Sequence, residues 1–317
     1  MGQHTCTISS CGSAVRILSD INLYRHLRVL SKDSSIPDME VEEGSDTTME
    51  LPQLIYEDSE MCEIVFCPHE ARIRYPWDKM RSGETLLYAS YPLIEYQRQV
   101  QRDLTAHTAC VNMGDESVLL MGKEGSGKTT VAIDLCQSYN AKVVANDLCV
   151  IGERQGEIIS RGGTKFFFLR RESITRNLPR LLDFFSASSV EDSWLEKVKV
   201  DSYDLGIEAY YGQSAVKHAY MLHVDETKDE LNVCNADSLV TRLYLNENFS
   251  RYIRSSCTVM TGGSAYDFLG YIPSLDCEQF FEMRKSLITS LLNLGLRYIS
   301  GPVRLVADYI ADSQRHD

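Results

Sequence analysis

Between an apolar run, Ser117–Met121, and an amphipathic stretch, Thr130 to Ser138, lie eight residues: Gly122-Lys123-Glu124-Gly125-Ser126-Gly127-Lys128-Thr129. The run reads as a buried strand and the stretch as a helix, so the chain must pass strand, glycine loop and helix in that order. Three glycines let the backbone take conformations closed to other residues and approach an anion closely. Successive N–H groups then point inward, and the helix start adds its positive dipole end. The spacing G-x-x-x-x-G-K-[ST] predicts that the loop from Gly122 to Thr130, with Glu124 and Ser126, cradles the phosphates of ATP or GTP. Lys128 would reach the β- and γ-phosphates and the Thr129 hydroxyl would sit on Mg²⁺. The alternative is a glycine-rich turn that binds nothing.

Downstream, Lys142–Ala145 reads as a short strand ending in Asn146-Asp147. An acid at a strand end facing such a loop is the usual second anchor of the magnesium, which makes Asp147 the metal-side candidate. As an alternative, Asn-Asp simply closes a turn. His107 begins the strand expected before the Gly114-Asp115 turn, and a histidine there is satisfied by one structural hydrogen bond as readily as by catalysis. Phe166-Phe167-Phe168-Leu169 ends in Arg170-Arg171, guanidinium forks suited to phosphate or carboxylate on a substrate. Salt bridges to Glu172 and Asp183 are the competing use of the pair.

The net charge of −13 argues against a nucleic-acid polymer or an anionic lipid surface as partner. No apolar run is long enough for a membrane span and no secretory signal is visible, so a cytoplasmic protein is expected. Ten cysteines invite a zinc or disulfide reading, but the close pairs Cys6/Cys11 and Cys62/Cys67 are spaced too widely for zinc knuckles. They are expected as buried thiols in a reducing compartment.

Residues 1–100 are expected to form a small, partly β unit and residues 101–317 the nucleotide-binding unit. Ala14–Leu30 carries an imperfect helical stripe. Pro37–Pro52 is acidic and bracketed by prolines, which reads as a solvated linker. Glu63–Phe66 and Ala71–Tyr75 read as a hairpin, Leu86–Tyr91 as a strand, and Pro92 as a helix start. Leu104–Met113 and Ser117–Met121 read as two antiparallel strands. Further strands are expected at 149–152, 157–160, 216–224, 230–234 and 257–261, and helices at 172–197, broken at Pro179 and near Ser186 to Ser189, then at 238–246, 277–293 and 302–313.

In order and approximate spacing, His107-Thr-Ala-Cys-Val111, the loop Gly122–Thr129 and Val143-Val-Ala-Asn-Asp147 resemble the C-terminal domain of HPr kinase/phosphorylase, a relative of the phosphoenolpyruvate-carboxykinase type of P-loop fold. The resemblance covers residues 104–210. It implies an α/β fold with mixed sheets and flanking helices, and transfer of a γ-phosphoryl group to the hydroxyl of a small molecule or of a peptide or protein serine. It implies His107 near the catalytic acid, Lys128 on phosphate, Thr129 on Mg²⁺, Asp147 in the second acidic position, and Asp201 in place of a metal-side glutamate. The family also forms homo-oligomers. Asn146 stands where the family has the carboxylate that acts as base, and an amide cannot take a proton. Either Asp147 with His107 does that work, or the chain is a nucleotide-binding regulatory or assembly protein without the chemistry.

Overall fold

The computed structural model describes residues 4–32, 34–44, 50–80, 84–185, 196–255, 260–261, 268–270 and 272–314. The chain divides into two units, Met1–Thr105 with Asn246–Lys285, and Ala106–Leu245 with Ser286–Asp317. The first break falls five residues past the expected 100/101 boundary. Asn246–Lys285, assigned by the sequence reading to the second part, groups with the first.

The first unit opens with β1 (His4–Ser10) and β2 (Ser13–Ser19), then α1 (Tyr24–Ser31), β3 (Met39–Glu43), β4 (Gln53–Glu57), β5 (Glu63–Phe66), β6 (Glu70–Arg74) and α2 (Glu84–Val100). Its sheet runs β3-β1-β2-β4-β6-β5, with β2, β4 and β6 parallel and the other pairs antiparallel. Two expectations are corrected here. The helical stripe over Ala14–Leu30 is a strand and a helix: Ser13–Ser19 buries every second residue, and Cys11-Gly12, both at positive φ, make the two-residue turn that reverses the chain. Within the acidic linker, Met39–Glu43 pairs with β1 as an edge strand, where an acidic sequence also discourages further pairing.

A third correction concerns α2, which is one helix with Pro92 inside it rather than a strand followed by a helix. Proline in a helix interior removes one hydrogen bond. Tertiary burial outweighs that loss, since Leu86, Leu87, Ala89, Tyr91, Leu93 and Ile94 are all buried. The far end of α2 carries a buried polar network. Glu95 accepts from the Thr105 amide (3.1 Å), its hydroxyl (2.7 Å) and Gln99 (2.9 Å), while Arg98 donates to Thr105 Oγ1 (2.7 Å) and the Ser10 carbonyl (3.0 Å) and stands 3.6 Å from Glu95. In the same unit Arg284 donates to Gln99 and Asp276, both at 2.9 Å.

The second unit is built on β7 (Asp103–His107), β8 (Ala109–Met113), β9 (Glu116–Met121), α3 (Lys128–Tyr139), β10 (Lys142–Ala145), β11 (Leu148–Arg154), β12 (Glu157–Gly163), β13 (Phe166–Arg170), α4 (Arg171–Asn177), β14 (Lys197–Asp201), β15 (Ser214–Val224) and β16 (Asn232–Asn235). Helix α5 (Leu239–Ser250), the short β17 (Met260–Thr261) and β18 (Phe268–Gly270), α6 (Glu278–Asn293), β19 (Arg297–Gly301) and α7 (Val303–Ser313) follow, the chain changing unit within β7, α5 and α6. The large sheet has the order β10-β8-β9-β15-β12-β11-β7, with β19 parallel to the end of β15 and β16 beside β19. Antiparallel hairpins flank a parallel core of β9, β15 and β19. The fold class is therefore α/β with mixed sheets and several helices. The strand expected over Leu104–Met113 is two strands, because Thr108 breaks the ladder and sends β7 to the opposite edge from β8.

Helix α3 is buried nearly all round, from Lys128 to Cys136, and packs with Val306, Ala307 and Ile310 of α7 in the main core of the unit. The helix expected over 172–197 is α4 followed by a 3₁₀ turn at Pro179–Phe184. The break expected near Ser186 to Ser189 and the first part of the strand expected at 257–261 lie outside the described residues. All nine described cysteines are free, although Cys62, Cys67, Cys234 and Cys277 are exposed rather than buried. Among the described residues no helix is long and apolar enough to cross a membrane.

Because Arg98 and Glu95 are both fully enclosed, Arg98→Met leaves a carboxylate buried without its cation and is expected to cost about 3–5 kcal/mol. Adding Glu95→Gln should recover part of that loss. Urea unfolding of the single and double variants measures both.

Candidate functional site

The carboxyl ends of parallel strands are where open α/β sheets leave a crevice; β9 ends at Met121 opposite Met221, and β15 runs on past it to Val224. After β9 the chain turns through Gly122 (φ 145°), Gly125 (φ 78°) and Gly127 (φ 91°) into α3. Two of these positions admit no other residue. A Cβ on Gly122 would stand 2.8 Å from the Leu222 carbonyl, and one on Gly127 would overlap the Val224 side chain. The Val224 amide donates to the Ser126 carbonyl at 2.9 Å, which fastens the loop to the end of β15. Tyr244 of α5 adds a hydroxyl bond of 2.6 Å to the Gly122 carbonyl.

Lys128 is only 8% exposed. Its ammonium turns back on the loop and donates to the carbonyls of Gly122 (2.7 Å) and Lys123 (3.0 Å). Burial pulls its pKa down to about 8, against the opposing pull of the Asp147 and Glu124 carboxylates. Thr129 is half-buried and Thr130 buried in the first turn of α3. The Ser126 hydroxyl is buried without a hydrogen-bond partner.

The sequence-predicted His107 and Asp147 come together, with Nε2 and Oδ1 2.8 Å apart and both side chains partly exposed. Thr108 brings that pair to the loop. Its amide donates to the Asp147 carbonyl at 3.0 Å and its hydroxyl to the Leu120 carbonyl at 2.8 Å, joining the end of β10 to the end of β9. Asp147 itself sits at φ 82°, a left-handed conformation that aspartate tolerates better than most residues. Asn146 faces the other way: it is 2% exposed and its amide donates to the Phe166 carbonyl at 3.3 Å. Thr164 holds this corner by bonding Asn146 and Leu148, and Gly163 has no room for a Cβ against Leu148.

Arg170 and Arg171 part company. Arg170 pairs with Glu124 of the loop and lines a cleft of about 430 Å³ with Gly125, Gly127, Arg176, Asn177 and Thr227. Arg171 turns to Glu196 and stacks on Phe185 at 5.0 Å, so the structure does not bring it to the loop. Where Glu172 and Asp183 were the expected partners, Arg170 pairs with Glu124 and Arg171 with Glu196, while Glu172 pairs with Arg176. Asp201 is exposed and accepts the Tyr203 amide at 3.0 Å, in the turn after β14. Sequence reasoning missed Thr108, Thr164, Gly163 and Tyr244. Only Thr108 carried a signal, as the polar residue after His107 in an otherwise strand-like run.

The sign of one pH effect follows from Lys128. Its folded pKa near 8 lies below the roughly 10.4 of a lysine in an unfolded chain, so between those values the unfolded state holds more protons. This group therefore makes stability rise with pH across that window, by about 3 kcal/mol in full. Lys128→Met is expected to remove that rise, seen as converging urea midpoints of variant and wild type at alkaline pH.

No family model matches the chain, and no curated protein matches it. Among solved structures, the HPr(Ser) kinase/phosphatase from Coxiella burnetii is similar over 40% of this chain and 68% of its own, at 14% identity and a TM-score of 0.23. A superposition that weak carries no argument.

Proposed function

We propose that the chain is a nucleotide-dependent kinase that transfers the γ-phosphoryl group of ATP or GTP to a hydroxyl. The observation that carries this reading is the buried ammonium of Lys128, inside a loop whose Gly122 and Gly127 have no room for a Cβ, with the His107–Asp147 pair tied to it through Thr108. A buried cation bonded to its own loop's carbonyls, at the start of a helix, suits an anion.

The roles follow from position. Lys128 exchanges the Gly122 and Lys123 carbonyls for phosphate oxygens, and the amides from Glu124 to Thr130 hold the remainder. Thr129 and Asp147 would hold a Mg²⁺. Among the described residues no cluster of three or more His, Cys, Asp or Glu would hold a metal unaided, a ligand set that suits magnesium brought in with a nucleotide. The ion supplies charge neutralisation on the phosphates. Asp147 takes the acceptor's hydroxyl proton as the new O–P bond forms and the bond to the β-phosphate oxygen breaks, and His107, 2.8 Å away, orients Asp147 and relays the proton. Loose phosphoryl-transfer transition states ask little of a base, which suits a carboxylate beside a metal. Arg170, paired with Glu124 of the loop and lining the cleft, would meet an anionic part of the acceptor.

The burial of Asn146 favours the second reading, a nucleotide-binding regulatory protein, since the position holds no carboxylate and its amide is engaged in the fold. Calorimetry and transfer from γ-labelled ATP separate the two. In the kinase reading Lys128→Ala loses nucleotide affinity, Asp147→Asn binds but loses transfer almost wholly, and His107→Ala lowers transfer while leaving affinity nearly intact. Unchanged affinity in a folded Lys128→Ala would overturn both readings. An Asp147→Asn protein that still transfers at wild-type rate moves the base elsewhere.

Lys128 also couples binding to protons. An anion beside it raises its pKa from near 8, so binding of MgATP at pH 8 should take up about half a proton. Calorimetry in two buffers of different ionisation enthalpy reads this directly.

A further inference from the structure

Strands β13 and β14 form a two-stranded ribbon in which Phe166 faces Asp201, Phe168 faces Lys199 and Arg170 faces Lys197. Side chains alternate along a strand, so these six share one face. The other face is core, with Phe167, Leu169 and Val200 buried. On the outer face Phe168 is 38% exposed, Lys197 is well exposed, and the Lys199 ammonium stands 4.2 Å from the centroid of the Phe166 ring. The two phenyl rings meet edge to face at 5.2 Å.

This face opposes the charge of the molecule. In a chain of net charge −13 it presents Arg170, Lys197 and Lys199, with Asp201 at one end and Glu124 of the glycine loop at the other. Glu124 accepts Arg170 and lies 3.9 Å from Lys197, so the basic end of the ribbon abuts the loop. The exposed Phe168 ring next to the Phe166 ring beneath Lys199 forms a surface that gains by being covered with something both acidic and partly apolar.

The spacing chooses the occupant. The cations stand in two successive rows, which on a strand are about 6.6 Å apart, rather than converging on one point as a single phosphate requires. An extended polypeptide repeats its side chains on one face with the same step, so alternate acids meet the rows while the residues between them turn away. We infer that the outer face of the β13–β14 ribbon is a docking surface for an extended acidic polypeptide segment, running toward the glycine loop and presenting the acceptor hydroxyl there. The docking stands by itself; the statement about the hydroxyl rests on the kinase reading.

The test uses a fluorescein-labelled peptide in which glutamate alternates with other residues and one serine stands at an end, and its twin with glutamine at each glutamate. Anisotropy is expected to show the glutamate peptide binding, weakening as salt rises, and the twin not binding. Lys199→Glu and Phe168→Ala should each weaken binding by about tenfold or more, while their MgATP affinity stays at the wild-type value. Equal binding of both peptides overturns the inference, as does wild-type binding by the Lys199→Glu protein. Binding of a sugar phosphate that depends on Lys199, without binding of the acidic peptide, also overturns it. If the glutamate peptide docks as expected but is not phosphorylated with MgATP, the docking surface stands and its role in presenting the acceptor hydroxyl falls, while the kinase reading is decided by the Lys128 and Asp147 variants.

Discussion

The contact of Gly127 with Val224 governs the geometry around the glycine loop. With a left-handed backbone and no space for a Cβ, the start of α3 is pressed onto the end of β15, and the Val224 amide bonds back to Ser126. That closeness takes Lys128, one residue on, out of solvent. Without solvent the ammonium must find oxygen nearby, and the carbonyls of Gly122 and Lys123 are what the loop offers. A backbone constraint thus becomes an electrostatic one: the steric tightness that fixes the loop also lowers the lysine's affinity for its proton.

The corner at Asn146-Asp147 divides two jobs between adjacent residues. Asn146 is spent on the fold, bonded to the strand that begins at Phe166, and that leaves Asp147 turned outward in a left-handed conformation toward His107. Thr108 is the hinge pin between this corner and the loop, because both of its polar groups are used in joining β10 to β9. Paired carboxylates would need two outward residues here, and the burial of position 146 permits one.

What the sequence made legible, and what it hid, divide along the range of the forces involved. The glycine loop, its strand and its helix were readable because backbone demands act on neighbouring residues, and the late helices because their apolar spacing repeats. Ser13–Ser19 was read with the helix after it, since a window spanning both blends two periods. Pro92 was read as a boundary because local preference forbids it mid-helix, whereas the packing that overrides that preference is tertiary. The same distinction explains the site. His107, Asp147 and Lys128 were found as residue types, but the burial of Lys128, the outward turn of Asp147 and the divergence of Arg170 from Arg171 depend on partners far along the chain.

The first unit is assembled from two pieces of chain, and the hydrogen bond from Arg284 to Gln99 joins residues 185 positions apart. During synthesis, its sheet and α2 emerge long before Asn246–Lys285, so Gln99 waits on the ribosome for a partner that most of the second unit precedes. In the second unit β8 to β15, the loop and α3 come out consecutively, followed by β16 and the start of α5 and, after the inserted segment, by the end of α6, β19 and α7. The segment closing the first unit is thus translated after most of the second, and a chain that stops before Arg284 leaves the first unit without that segment and the second without β19 and α7.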